Sequence, residues 1–192
     1  MAKAKRKSSN AGNGSKTKTA TETRGSRTSE RQDAIGLLKA DHRVEGYFEA
    51  FEKARSDDRK QQLAEKICRA LTVHTTIEEE IFYPAFLEAT EEEELHHEAA
   101  VEHDGARKLI AEIESAGPDD EYYDAKVTVL SEMIKHHVNE EEKRDGLFAK
   151  SRQSEMDLEA LGEQMASRKA ELMNELPLKS SGRQAGGDLR NR

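Results

Sequence analysis

The chain has 192 residues, enough for one domain with flanking segments or at most two small domains. Charged residues make up 36%, aromatic residues 5%, and Trp is absent, a composition that does not favour a β-sandwich or barrel. The net charge of −8 is unevenly spread, and the single cysteine, Cys68, excludes an internal disulfide and a cysteine-cluster metal site. A reducing, cytoplasmic setting is therefore expected.

The two ends of the chain differ from its middle. Residues 1–31 contain nine Lys or Arg, two acidic residues and no Leu, Ile, Val or Phe. Such a segment buries too little apolar surface to offset the entropy of ordering, so it is predicted to be a disordered basic tail. Residues 177–192 are predicted to form a second disordered tail. The basic tail could make weak, nonspecific contacts with nucleic acid or an acidic partner, and no membrane contact is expected.

Between the tails, apolar residues recur at the three- and four-residue spacing of helices. The first helix is predicted at about residues 33–55. Ser-Asp-Asp at 56–58 ends it and begins a second helix, which Pro84 is expected to kink or end. A third helix is predicted to start at Thr90, where Glu93 would complete a capping box.

One more helix-ending segment separates the third predicted helix from the fourth. Gly-Pro-Asp-Asp at 117–120 ends the third helix, and a fourth carries the apolar line from Tyr123 to His137. A weaker helix is predicted over 152–176. Short connections between long helices favour antiparallel neighbours. The predicted fold is therefore all-α: an up-down antiparallel four-helix bundle over 33–150, an extra C-terminal helix and disordered tails.

Histidine and glutamate residues interrupt the apolar sides of the predicted helices. Four histidines and two glutamates occupy positions on the apolar side of their helices: His42, His74, Glu78, His103, His137 and Glu141. One inward histidine would usually be a satisfied core residue, but four helices with one each favour a metal site. A His-x-x-x-Glu spacing places both side chains on one face, and imidazole and carboxylate ligands without sulfur suit iron, manganese or zinc.

In the fourth helix, two adjacent histidines compete for the inward position. Successive residues turn about 100° around a helix, so His136 and His137 cannot both point inward. Counting back from His137 gives Ile134 and Leu130, an apolar line, whereas the line through His136 is mixed. The sequence therefore predicts that His137 is the inward residue.

The segments around these residues resemble the hemerythrin/HHE cation-binding domain over about residues 33–150. The segments are His42, HTTIEEEIFYPAF (74–86), VEHDGARKLI (101–110) and HHVNEEEKRDGLF (136–148). The resemblance implies a four-helix bundle whose six polar residues named above bind two non-haem iron ions. It further implies Fe2+ or Fe3+ joined by an oxo or hydroxo bridge, with dioxygen, peroxide or nitric oxide as the small ligand.

Two departures separate this chain from oxygen-carrying hemerythrins. Arg107 stands where they have a second histidine, and Glu142 where their last ligand is an aspartate. The chain therefore resembles the HHE subgroup. Arg107 could contact a bound anion if it points inward, and otherwise it is a solvent-facing charge. Asp41 and Glu102, beside the predicted ligands, could accept the second N–H of a ligand histidine.

The leading functional interpretation is a di-iron protein that binds or senses dioxygen or a related small ligand. Two alternatives stay open. One is a di-iron enzyme that acts on peroxide or nitric oxide at the same site. The other is a regulatory protein in which the metal state controls nucleic-acid contacts made by residues 1–31.

Overall fold

The computed structural model describes residues 33–176 and Leu178, and within these residues it contains helices and turns but no β-strand. The all-helical prediction is confirmed. The predictions made for residues 1–31, and nearly all of those for 177–192, lie outside the described residues. In the described part of the chain, no helix has the length and hydrophobicity needed to cross a membrane.

The described residues form eight α-helices in succession, and two short turns, one 3-10 and one π, join neighbouring helices. The helices are α1 (Ala34–Asp41), α2 (Glu45–Lys53), α3 (Asp57–Ile77), α4 (Tyr83–Thr90), α5 (Glu93–Ser115), α6 (Tyr123–Glu142), α7 (Leu147–Gln153) and α8 (Leu158–Glu175). A 3-10 turn over His42–Val44 joins α1 to α2, and a π turn over Glu78–Phe82 joins α3 to α4. The single first helix predicted from the sequence is thus divided at His42.

The second predicted helix does not end at Pro84. Proline has no N–H and cannot continue the regular α-helical hydrogen-bond pattern. The chain accommodates it in the first turn of α4, and the preceding turn widens so that the Tyr83 N–H bonds the carbonyl of Glu78, five residues back. The helical path therefore continues from α3 through the π turn into α4.

The capping box predicted at Thr90 is wrong. Thr90 is the last residue of α4, and its hydroxyl donates to the carbonyl of Phe86 at 2.7 Å. A threonine hydroxyl that bonds back to the carbonyl four residues earlier lies within the helix rather than at its start. The chain then turns at Glu91, whose φ of 58° is left-handed, and α5 begins at Glu93.

Four helices form a closed ring of contacts: α2 packs on α3, α3 on α5, α5 on α6, and α6 on α2. The C-terminal helix predicted over 152–176 corresponds to α8, which packs on α1, α3 and the π turn. It is preceded by α7, which the sequence did not indicate and which contacts α4 and α6. The Asp157 side chain caps α8 by accepting the Ala160 N–H at 3.0 Å.

The buried apolar residues form two clusters. The first cluster belongs to α2, α3, α5 and α6 and includes Phe51, Ile67, Ile110 and Leu130. The second cluster belongs mainly to α1, the π turn, α4, α7 and α8 and includes Ile35, Phe82, Phe86, Phe148 and Met165. Along the sequence, each predicted ligand histidine lies between a residue of one cluster and a residue of the other. The flanking pairs are Leu38 and Val44 for His42, Leu71 and Ile77 for His74, Ala99 and Ala106 for His103, and Ile134 and Leu147 for His137.

Candidate metal centre

The six residues predicted as ligands meet in a polar layer between the two apolar clusters. Five of them are buried, with relative exposures between 0% for Glu78 and 6% for His74. The side chain of His42 is slightly more accessible, at 11%. His136 is 65% exposed, so the inward position in α6 belongs to His137.

Around Glu78, two imidazoles approach one carboxylate. His74 Nε2 and His103 Nε2 each lie 3.3 Å from Glu78 Oε2. The first contact joins residues one turn apart at the end of α3, and the second joins α5 to the π turn. We call His74, Glu78 and His103 the Glu78 trio.

Around Glu141, a second pair of imidazoles makes the equivalent approach. His42 Nε2 lies 3.6 Å from Glu141 Oε2, and His137 Nε2 lies 3.7 Å from Glu141 Oε1. We call these three residues the Glu141 trio. The trios adjoin, because His103 Nε2 lies 3.3 Å from His137 Nε2. His74, Glu78, His137 and Glu141 each offer one ligand atom within 4.8 Å of the others, a spacing that could hold a metal ion.

The other ring nitrogen of each histidine faces a carboxylate at the edge of the layer. Three Nδ1 atoms are within hydrogen-bond distance: His42 with Glu142 (2.8 Å), His103 with Glu79 (2.9 Å) and His137 with Glu102 (2.7 Å). His74 Nδ1 lies 3.7 Å from Asp41. In the tautomer that a metal ligand requires, the Nδ1–H groups of His42, His103 and His137 would donate to these carboxylates, and the Nε2 lone pairs would face the two buried glutamates.

Several atoms of the layer fit a bound cation. Both carboxylate oxygens of Glu78, both of Glu141, and His42 Nε2 are buried without a hydrogen-bond partner among the described residues. Buried polar atoms in folded proteins are nearly always paired, and unpaired ones destabilise the fold. The orphaned atoms are the acceptors that a divalent cation would satisfy, so this donor set fits a metal.

The two buried glutamates have opposite pKa shifts. Burial raises the pKa of Glu141, and the neighbouring charge of Glu78 raises it further. Burial also opposes ionisation of Glu78, but the positive charges of His74 and His103 outweigh it and hold the pKa of Glu78 below its usual range. Burial would lower the pKa of His137, yet Glu141 and Glu102 raise it to about 9.

The two residues that depart from the oxygen-carrier pattern lie at the edge of the layer. Arg107 is 45% exposed and forms an ion pair with Glu79, so it points outward rather than into the centre. Glu142 holds His42 Nδ1 and also bonds Lys39 Nζ at 2.6 Å. Neither side chain is among those facing the two buried glutamates.

Sequence reasoning missed three residues of this site. Glu79 and Glu142 each hold a ligand histidine. Their adjacency to Glu78 and Glu141 in the sequence places them beside the centre, but it does not show which ring each one holds. The buried hydroxyl of Tyr83 lies 3.3 Å from His103 Nε2. The spacing of an ordinary α-helix gave no hint of that position.

Comparison with known proteins identifies the fold and the family. A crystal structure of a hemerythrin HHE cation binding domain-containing protein from Mycobacterium kansasii superimposes with a TM-score of 0.64 at 24% identity. The match covers 74% of this chain and 88% of that one. No curated protein matches the sequence. The family model of the hemerythrin HHE cation binding domain matches residues 33–146, and the chain therefore belongs to this family.

Proposed function

We propose that this protein binds two non-haem iron ions and, through them, dioxygen or a related small ligand. The observation that carries the proposal is the convergence of four imidazole Nε2 atoms on two buried glutamates whose oxygens lack partners. The outward Nδ1 contacts support it, since carboxylates behind the rings orient metal-binding histidines. In helical bundles, metal sites are built in this way from side chains on facing helices.

The composition of the two trios supports a pair of iron ions. Each trio offers two nitrogens and one carboxylate, and either glutamate could bridge because it has two oxygens. Nitrogen and oxygen donors without thiolate suit iron, manganese or zinc. Cys68 lies in the first apolar cluster and contributes no sulfur to the centre. Bound iron would supply the electrons that oxygen chemistry requires, because the side chains of the centre do not supply them.

The protein's own residues would orient the ligands and keep bulk water out. The His42 ring stacks on Phe148 with ring centroids 6.0 Å apart, and Phe148 packs edge-on against Phe82 at 6.2 Å. On the opposite side, a narrow cavity lined in part by His42, His74, His103 and Leu71 adjoins the centre. A second small cavity, lined in part by His137 and Glu141, adjoins the other side of the centre. A centre between two apolar clusters with small cavities beside it favours small ligands over larger substrates.

We also propose an antiparallel arrangement of the helices and a cytoplasmic location. The closed ring of contacts among α2, α3, α5 and α6 supports the up-down antiparallel four-helix arrangement predicted from the short connections. A reducing cytoplasmic location is part of the same proposal, because the ferrous form and the lone thiol of Cys68 both persist under reducing conditions.

The test is an optical titration of protein loaded with Fe2+ without oxygen. Addition of dioxygen should produce a visible absorption that is absent from the same protein loaded with Zn2+, since zinc has no accessible redox change. Unchanged spectra with dioxygen, peroxide and nitric oxide would contradict the proposal.

A second candidate function is turnover of peroxide or nitric oxide at the same centre. It is favoured by Arg107, which stands where the oxygen carriers have a histidine and points outward. With one imidazole fewer, a bound metal would have either an added carboxylate or an open position for a substrate. Steady consumption of peroxide or nitric oxide by the iron-loaded protein, abolished by a chelator, would identify an enzyme. A single stoichiometric reaction would identify a binding protein.

A further inference from the structure

Tyr83 presents its hydroxyl to the metal centre. The side chain is 1% exposed, and its oxygen lies 3.3 Å from His103 Nε2. The same nitrogen lies 3.3 Å from Glu78 Oε2 and 3.3 Å from His137 Nε2. Three polar atoms from the π turn, α4 and α6 thus surround one ring nitrogen of α5. The ring of Tyr83 belongs to the second apolar cluster, and its hydroxyl reaches the polar layer.

The π turn is what directs Tyr83 there. In an α-helix, the residue four positions after Glu78 would follow it on the same face, and that residue is Phe82. In the π turn the hydrogen bond runs from the Tyr83 N–H to the Glu78 carbonyl, so the residue five positions on takes that place. Phe82 turns instead into the second apolar cluster, where it contacts Phe148. The widened turn thereby exchanges a phenyl group for a phenol at the centre.

The hydroxyl needs a different partner once a metal is bound. In the neutral tautomer that a metal ligand requires, His103 donates Nδ1–H to Glu79, 2.9 Å away, and Nε2 carries a lone pair and no proton. Metal coordination would occupy that lone pair, and Nε2 would then neither accept from nor donate to Tyr83. A buried hydroxyl without a partner is unfavourable. The acceptor that replaces Nε2 must therefore lie at the centre itself.

We propose that Tyr83 donates a hydrogen bond to an anionic or oxygen-derived ligand bound at the metal centre. This inference rests on the proposed function, because it needs a metal to hold the ligand. The ring of His96 also packs edge-on against Tyr83, with centroids 5.6 Å apart. Tyr83 is thus a ligand-binding residue whose hydroxyl distinguishes hydrogen-bond acceptors from apolar occupants.

The test compares azide binding to the ferric protein in wild type, Tyr83→Phe and Tyr123→Phe. Tyr123 is a matched control, since it is 3% exposed and lies in the first apolar cluster. Removal of a hydrogen bond to a charged ligand should weaken azide binding to Tyr83→Phe by about tenfold or more. Iron content should be unchanged in both variants, and the azide affinity of Tyr123→Phe should equal that of wild type.

Three results would overturn the assignment. Equal azide affinity in Tyr83→Phe and wild type would show that the hydroxyl does not contact the ligand. Loss of iron, or loss of a visible phenolate-to-iron absorption present without azide, would show instead that Tyr83 is itself a metal ligand. Absence of bound iron in wild-type protein would refute the proposed function, and the role of Tyr83 with it.

Discussion

The two trios of the centre have the same composition and different surroundings. In the Glu78 trio both imidazole nitrogens lie 3.3 Å from the carboxylate, whereas in the Glu141 trio the distances are 3.6 and 3.7 Å. Glu78 begins a π turn through which the helical path continues, while Glu141 is the penultimate residue of α6. One glutamate is therefore held within continuous helix, and the other is held at a helix end.

The two glutamates also differ in the direction of their pKa shifts. The imidazoles around Glu78 hold its pKa below its usual range, which favours the ionised form of Glu78. Burial and the charge of Glu78 raise the pKa of Glu141, which disfavours the ionised form of Glu141. Ionising two adjacent buried carboxylates is costly, and here their surroundings favour ionisation of Glu78 over that of Glu141. A bound cation would offset this cost for Glu141, so the Glu141 trio is expected to depend more on metal.

The largest expected difference between the trios is the loss of stability when each glutamate is replaced by glutamine. Glu78→Gln should destabilise the metal-free protein by about 3 kcal/mol, because it removes a buried carboxylate whose ionised form the surrounding imidazoles favour. Glu141→Gln should destabilise it less, by about 1–2 kcal/mol, because the lost contact with His137 is partly offset by removal of a carboxylate whose ionisation burial disfavours. Urea unfolding in the presence of a chelator measures both values. Equal losses would show that the two trios are electrostatically equivalent.

The register of α6 is tested by its two adjacent histidines. His137→Ala should lose at least one metal ion per chain, because it removes a buried Nε2 at the centre. His136→Ala serves as the matched control and should keep both ions, since its exposed ring contacts only the outer carboxylate Glu102 among the described residues. Metal analysis after gel filtration measures the outcome. Loss of metal in His136→Ala alone would mean that α6 is rotated.

Affinity for metal should rise with pH. The pKa of His137 is raised to about 9, so below that pH the ring is protonated in the metal-free protein and a metal must displace the proton. Zn2+ affinity should therefore increase about tenfold between pH 7.5 and 8.5, a range above the usual histidine pKa. Competition against a chromophoric chelator measures it. Constant affinity across this range would show that His137 is already neutral.

The helix end beside Glu141 offers a smaller test. A Cβ added to Gly146 would lie 2.8 Å from the carbonyl oxygen of Glu141 and would also clash with that of Glu140. Gly146→Ala should destabilise the protein by about 1–3 kcal/mol. Gly46→Ala is the control, because a Cβ there has no neighbour within 4 Å. The midpoints of thermal unfolding of the two variants are compared. Equal midpoints would show that the α6–α7 turn accommodates the added Cβ without loss of stability.

The first apolar cluster and the ligand histidines were predictable from sequence. Regular spacing placed Ile67 and Leu71 on one line with His74, and Leu130 and Ile134 on one line with His137. These residues lie in regular α-helix, where three- and four-residue spacing equals spatial adjacency. The same rule excluded His136, which is exposed.

The surroundings of the second cluster were not predictable in the same way. Pro84 signalled a disturbance but not its form, and only the π turn explains why Tyr83 rather than Phe82 faces the centre. Helix α7 has seven residues, too few for a periodic pattern to show. The outer carboxylates Glu79 and Glu142 depend on ring orientation across helices, which spacing within one helix does not encode.

The iron content of the protein tests the proposed centre most directly. After loading with Fe2+ in the absence of oxygen and removal of unbound metal, the wild-type chain should retain two iron ions, and a variant with both Glu78→Gln and Glu141→Gln should retain none. Mass spectrometry of the metal gives the ratio of iron to protein. Two ions in both proteins, or none in wild type, would contradict a centre built on the two buried glutamates.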